Sequence, residues 1–317
     1  MEKTILLLGR DGFIGTNLFN YYTMSKPEYN IATCRHGKDF FEVSYGHMKS
    51  FEANLTIQSH VDRLFDEIKP DIVIHAAAVT TGAKDTVERP WLHVTDNLRM
   101  NALVMEYCHT HNVKHCVWFS CGVMYQPKDF PQSETDWKDG EELYPTYYGV
   151  GNMKVYTEKL ARFYSRLNSC KFTVIRNSNI YGPYDKFDLD KCHMLPAMVK
   201  KVCDAENTLE VWGTGQARRD LLYVDDCVDL ISKCIEQQET PYELINCGAG
   251  QAYSIQEIIE TLQEITGKSL TIEYRADKPD IPTTVIFNCD KAKKLGWEPK
   301  VSLREGLTKT VEYYKKS

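Results

Sequence analysis

The segment Gly9-Arg10-Asp11-Gly12-Phe13-Ile14-Gly15 follows an apolar run, Thr4–Leu8, and opens a stretch of helix length. Glycines at this spacing have a chemical use. One makes a tight turn, one lets backbone approach a pyrophosphate, and one packs helix against strand, with the helix N-terminus facing the phosphates. Placement between a first strand and a first helix is the context that gives this motif its meaning. A dinucleotide is therefore expected at residues 9–15. About 20 residues further on, where a carboxylate would accept the ribose 2′-hydroxyl of NAD, the chain reads Thr33-Cys34-Arg35-His36. A guanidinium matches a 2′-phosphate instead, so Arg35, with Arg10 in the loop, favours NADP(H) and leaves NAD(H) possible. Cys108-His109, His111 and His115-Cys116 hold metal-ligating residue types but lack the spacing of a tetrahedral site, so no metal is expected.

The elements that must carry this loop alternate. Strands are expected at Thr4–Leu8, Tyr29–Cys34, Phe51–Leu55, Asp71–His75, His115–Ser120 and Phe172–Arg176. Helices are expected from Gly12 and over Ser59–Ile68, Pro90–His109 and Met153–Leu167. Strands alternating with helices of ten or more residues predict an α/β fold with a doubly wound parallel sheet, whose carboxyl edge binds ligands. The second half is less regular, with helices at Leu195–Ala205, Ser254–Gly267 and Leu303–Lys316 and a strand at Leu270–Tyr274. It reads as a smaller α+β substrate-binding lobe over residues 179–317. Residues 1–178, with a return near 217–236, form the dinucleotide-binding domain.

Composition narrows the function classes. The 317 residues carry 38 Lys+Arg against 44 Asp+Glu, a net charge of −6, which argues against a nucleic-acid-coating surface. No apolar run approaches the roughly 18 residues of a membrane helix, and Ile5–Leu8 is too short for a signal-peptide core. Eleven scattered cysteines without a Cys-x-x-Cys read as reduced thiols in a cytosol.

Beyond the glycine loop, the chain has Ala76-Ala77-Ala78, Asn97, Ser120 to Tyr125, Tyr148 with Lys154, and Tyr181-Gly182-Pro183. This set resembles the extended short-chain dehydrogenase/reductase family, the NAD-dependent epimerase/dehydratases with a Rossmann sheet. Further runs look like its GDP-fucose synthase subgroup: Asn179 to Phe187, His193-Met194-Leu195-Pro196-Ala197, Val211 to Gly215 leading to Arg219, Val224-Asp225-Asp226, Lys278-Pro279-Asp280 and Leu295-Gly296-Trp297. The resemblance implies that Asn54, Leu55, Ala76, Ala77, Ala78 and Asn97 line the cofactor beside the glycine loop. It implies that Asn179, His193 and Arg219 hold a nucleotide-sugar, and that two helices pair chains into a homodimer.

In that family a tyrosine moves the proton and a lysine four residues later tunes it. Here Val150 holds the slot four before Lys154. Two readings stand: a two-residue insertion absorbed near Gly149 and Gly151 brings Tyr148 to Lys154, which we prefer, or Tyr148 pairs with Asn152. The hydroxyl slot that holds the substrate oxygen falls on Cys121, with Ser120 as a stand-in. Gly122 occupies the position of the dehydratase acid/base pair, which disfavours dehydration. Val123 stands in place of the subgroup's epimerising cysteine, which leaves His193 alone. The expected activity is NAD(P)-dependent oxidoreduction or epimerisation at C4 of a GDP-linked, or other NDP-linked, deoxyhexose or heptose. The rival is a catalytically degenerate dinucleotide-binding subunit with a regulatory or scaffolding role.

Overall fold

The computed structural model describes residues 2–44, 46, 48–80, 88–277 and 284–317. The first half runs β1 (Lys3–Leu8), α1 (Phe13–Ser25), β2 (Tyr29–His36), β3 (Phe41–Glu42), β4 (Ser50–Ala53), α2 (Gln58–Ile68), β5 (Ile72–His75), α3 (Thr95–Thr110), β6 (His115–Cys121), β7 (Pro131–Gln132), α4 (Tyr148–Ser165) and β8 (Lys171–Asn177). The second half runs β9 (Asn179–Tyr181), α5 (Met194–Asp204), β10 (Thr208–Trp212), β11 (Arg218–Tyr223), α6 (Val224–Gln237), β12 (Tyr242–Cys247), β13 (Ala252–Ser254), α7 (Ile255–Thr266), β14 (Thr271–Arg275), β15 (Ile286–Phe287), α8 (Asp290–Lys293) and α9 (Leu303–Tyr314).

Among the described residues, eight strands form one sheet in the order β12-β8-β6-β5-β1-β2-β4-β3. Every pairing in it is parallel except β3 with β4. The run of apolar residues in β1 explains why both faces are covered. Successive side chains point to opposite faces. Ile5 and Leu7 enter one core with Leu18, Val117 and Ile231, while Leu6 and Leu8 enter another with Val61, Val104 and Trp118. The fold is thus α/β and Rossmann-like.

Two boundaries differ from the sequence reading in ways that matter. The stretch expected as one helix from Pro90 is a 3₁₀ turn, Pro90–His93, followed by α3. The helix expected from Met153 begins five residues earlier, at Tyr148, and runs unbroken through Gly149 and Gly151. Tertiary contact outweighs the glycine cost of roughly 1 kcal/mol each: Gly149 lies close to Val94, and a Cβ on Gly151 would sit 2.9 Å from Leu143.

The smaller sheets stand at the carboxyl edge. β9 pairs with β11 and β11 with β13, while β15 pairs with β7. The Val224-Asp225-Asp226 and Leu295-Gly296-Trp297 runs meet in one structural knot. The buried Trp297 indole donates to the Asp226 carbonyl at 2.8 Å, and the Asp226 carboxylate accepts from the Lys300 and Val301 amides, both at 3.0 Å. Lys278, Pro279 and Asp280 lie outside the described residues.

Candidate active site

The glycine loop is shaped for close backbone packing. Gly9 has φ +83°, and a Cβ there would meet Ala77 backbone at 2.6 Å; a Cβ on Gly15 would sit 2.0 Å from the Gly9 carbonyl oxygen. Gly12 caps α1 without a side-chain hydrogen bond, and the first turn of α1 holds no acidic residue. An uncapped helix N-terminus behind a glycine turn is an anion site, so these residues fit the diphosphate of a dinucleotide. Phe13 and Ile14 open α1, and the backbone of Ala76 and Ala77, with Ala78 next in the chain, packs against Gly9.

Where β1, β2 and β4 end, charges gather. Arg10 pairs with Asp11 at 3.0 Å and lies 4.4 Å over the Phe19 ring, and Arg35 pairs with Glu52 and, at 3.8 Å, with Asp11. Asn54 turns inward: its side-chain oxygen accepts from the Thr56 amide at 3.0 Å and the Thr56 hydroxyl at 2.8 Å, and Leu55 is buried. Asn97 is also spent internally. It accepts from the Val79 amide at 2.8 Å and donates to the Val79 and His93 carbonyls, both at 3.0 Å. With both N–H bonds used, Asn97 reaches a cofactor only by holding the Ala78–Val79 segment in place, a correction to its expected contact.

A cavity opens at the carboxyl ends of β6 and β8. In register, Cys121 stands beside Asn177. Cys121, Val123, Tyr144, Tyr147, Asn179 and Arg219 line it. Phe287 forms part of its floor, and a Cβ on Gly122 would lie 2.3 Å from that ring. Asn179 donates to the Asp220 carbonyl at 3.0 Å, and Arg219 donates to the Arg218 carbonyl at 2.8 Å. Burial raises the pKa of the Cys121 thiol, against the pull of the Lys154 ammonium. Burial likewise raises that of Tyr147, against Arg219.

Behind the cavity lies a buried charge network. Arg176 forks onto Glu158 at 2.6 and 2.9 Å and donates to the Tyr125 hydroxyl at 3.0 Å, which in turn donates to Asn246 at 2.7 Å. The Ser120 hydroxyl, 1% exposed, donates to Glu158 at 2.6 Å. Alternation along β6 sends Ser120 and Cys121 to opposite faces, so Ser120 cannot stand in for Cys121 at the substrate.

The preferred pairing of Tyr148 with Lys154 is not formed. In an unbroken helix six residues turn about 600°, leaving the two side chains roughly 120° apart. Tyr148 is 64% exposed and borders a separate hollow with Trp91, Val94 and Thr95. Lys154 turns under the sheet edge, donates to the Phe119 carbonyl at 2.7 Å and lies 4.7 Å from the Trp118 ring. Burial lowers its pKa. The exposed Asn152 shares the Tyr148 face and donates to the Tyr148 carbonyl at 2.8 Å. His193 caps α5 at an exposed position apart from the cavity lining. Sequence reasoning missed Tyr147, Tyr144 and Phe287. The Tyr147-Tyr148 doublet was a visible signal for the first, whereas Phe287 reaches the cavity through the β15–β7 pairing alone.

A family model described as the NAD dependent epimerase/dehydratase family matches residues 5–248. The chain belongs to this family. Among curated proteins it is similar to a GDP-L-colitose synthase of Yersinia pseudotuberculosis, 30% identical over 316 residues, covering 98% of this chain and 97% of that one. It is also similar to a GDP-L-fucose synthase of Sinorhizobium fredii, 31% identical over 269 residues, covering 82% and 84%. Among solved structures, a UDP-glucose 4-epimerase of Thermotoga maritima with UDP-glucose superposes with a TM-score of 0.86 at 27% identity, covering 99% of each chain. The family's cofactor fits the residues 9–15 cradle, where it would supply the hydride chemistry.

Proposed function

We propose that this chain is an oxidoreductase acting at C4 of a GDP-linked deoxyhexose or heptose, with NADP(H) preferred. One observation carries the reading: a cavity at the carboxyl ends of β6 and β8 joins Cys121, Asn179 and Arg219, on the same sheet edge where β1 leads into the uncapped glycine cradle. The similarity over nearly the whole chain to a GDP-L-colitose synthase supports the guanine nucleotide and the deoxy sugar. Arg219 would take the diphosphate, since a guanidinium forks onto phosphate oxygens. The Cys121 thiol, a weak donor, would hold the substrate oxygen. Arg10 and Arg35, gathered where β1 and β2 end, support NADP(H), since a guanidinium matches a 2′-phosphate.

Reduction is favoured over epimerisation at neighbouring carbons. Val123 in the cavity wall moves no proton, and His193 stands apart from the lining. We also place the enzyme in the cytosol as a homodimer pairing α3 and α4. Tyr156 and Phe163, seven residues apart on α4 and each 53% exposed, support that face.

The test incubates the purified protein with GDP-, UDP- and dTDP-linked sugars and their 4-keto forms, with each nicotinamide cofactor, and follows nicotinamide absorbance. Oxidation of NADPH with a GDP-linked 4-ketodeoxyhexose is expected. Cofactor binding with no redox signal across the whole panel would favour a degenerate, non-catalytic subunit.

A further inference from the structure

The Tyr147-Tyr148 doublet sits where the 3₁₀ turn Pro145–Tyr147 passes into α4. Neighbouring residues at a helix start point about 100° apart, so the two rings face different surroundings. The Tyr147 ring lines the cavity with Cys121, Asn179 and Arg219, its centroid 6.1 Å from that of Tyr144. Tyr148 borders the other hollow. Cys121 lines the same cavity as Tyr147, and Lys154 donates to the carbonyl of Phe119, two residues before Cys121 on β6.

We propose that Tyr147 is the proton donor of this cavity and that it serves reduction of a sugar ketone; the proposal rests on the nucleotide-sugar reading above. The step balances as follows. A hydride from a reduced nicotinamide adds to the carbonyl carbon, and the π pair of the C=O bond moves to oxygen. The Tyr147 O–H bond breaks, and its proton joins that oxygen to give the alcohol. Water reprotonates the phenolate. A donor must enter the step protonated. Burial, with Cys121 and Tyr144 acting in the same sense, keeps the Tyr147 phenol above its ordinary value despite Arg219. That state suits donation to a ketone better than abstraction from an alcohol.

The test compares wild type, Tyr147→Phe and Tyr148→Phe. Tyr147→Phe is expected to lower kcat at least about 100-fold, the low end for a lost general acid. NADPH binding, GDP binding and the urea midpoint should stay at wild-type values, which separates chemistry from folding. Tyr148→Phe should stay close to wild type in kcat. A second readout does not depend on turnover: tyrosines labelled at the oxygen-bearing ring carbon are followed by NMR while GDP and NADP⁺ are added. The resonance missing from Tyr147→Phe should move, and the one missing from Tyr148→Phe should not. Loss of turnover in Tyr148→Phe alone, or ligand-induced movement of the Tyr148 resonance alone, overturns the proposal. If wild type reduces nothing in the panel, the functional reading fails, and the NMR comparison still decides which phenol faces the ligands.

Discussion

Cys121 lines the cavity, and on the proposed reading its thiol would give the substrate oxygen a weak hydrogen bond. A thiol donates less well than a hydroxyl, and a net hydrogen bond contributes about 0.5–1.5 kcal/mol. Cys121→Ser should therefore retain or raise kcat/KM, while Cys121→Ala should lower it by roughly threefold to tenfold. A Ser variant less active than the Ala variant would show that the thiol is not a donor to substrate. Arg219 makes a second residue-scale prediction. Lysine keeps the charge but not the planar fork, so Arg219→Lys should weaken GDP binding by about tenfold or more. Calorimetry with GDP alone reads this directly, and unchanged affinity would move the diphosphate elsewhere. The glycines at 9, 12 and 15 could be read from spacing because backbone geometry itself requires them. The orientation of Tyr147 could not, since which of two adjacent tyrosines enters a cavity depends on where the preceding 3₁₀ turn hands over to α4.

At the scale of elements, Asp220 joins three segments that are distant in sequence. Its buried carboxylate accepts from the Ala249 amide at 2.8 Å and from the Gly250 and Phe287 amides, each at 3.1 Å. It thereby ties β11 to the loop after β12 and to β15, whose Phe287 floors the cavity. Asparagine offers one oxygen where the carboxylate offers two, so at least one buried N–H loses its acceptor. Asp220→Asn should cost about 1–3 kcal/mol in urea unfolding. It should also loosen the cavity floor, seen as faster amide exchange at Phe287. A variant as stable as wild type would mean that water replaces the lost acceptor. These long-range ties leave no mark on local sequence pattern, which explains why β11, β12 and β15 were harder to foresee than β1.

Across the whole molecule, buried titratable groups set the response to acid. Burial, with the Lys154 ammonium, pushes the pKa of His75 down to about 3, and burial, with Lys171, pushes His115 down to about 4. The unfolded chain, with histidines near 6.5, binds more protons than the folded one below that pH. Their stabilisation is full above about pH 6.5 and is lost as pH falls toward the folded values, at about 1.4 kcal/mol per pH unit for each. Asp185 and Asp220, both raised to about 6 mainly by burial, act in the opposite sense: the folded state holds the extra proton, so stability falls as pH rises from about 3.8 to 6. Comparing His75→Leu with wild type isolates one contribution. Between pH 7 and pH 5 the variant should gain about 2 kcal/mol relative to wild type in urea unfolding. A constant difference across that range would show that His75 takes up its proton alike in the folded and unfolded chain.

The residues alone determined the parallel sheet, the glycine cradle and the kinship, because β-branched and apolar runs, helix-length spacers and glycine turns act over short stretches of chain. Tertiary structure decided which groups meet. It committed Ser120 to Glu158, turned Lys154 toward Phe119, spent Asn97 on the backbone and brought Tyr147 beside Cys121 and Arg219. The reason is physical: a helix carries its side chains around at a fixed angle per residue. Once packing against Val94 and Leu143 sets where α4 begins and holds it straight through two glycines, every facing along it is settled.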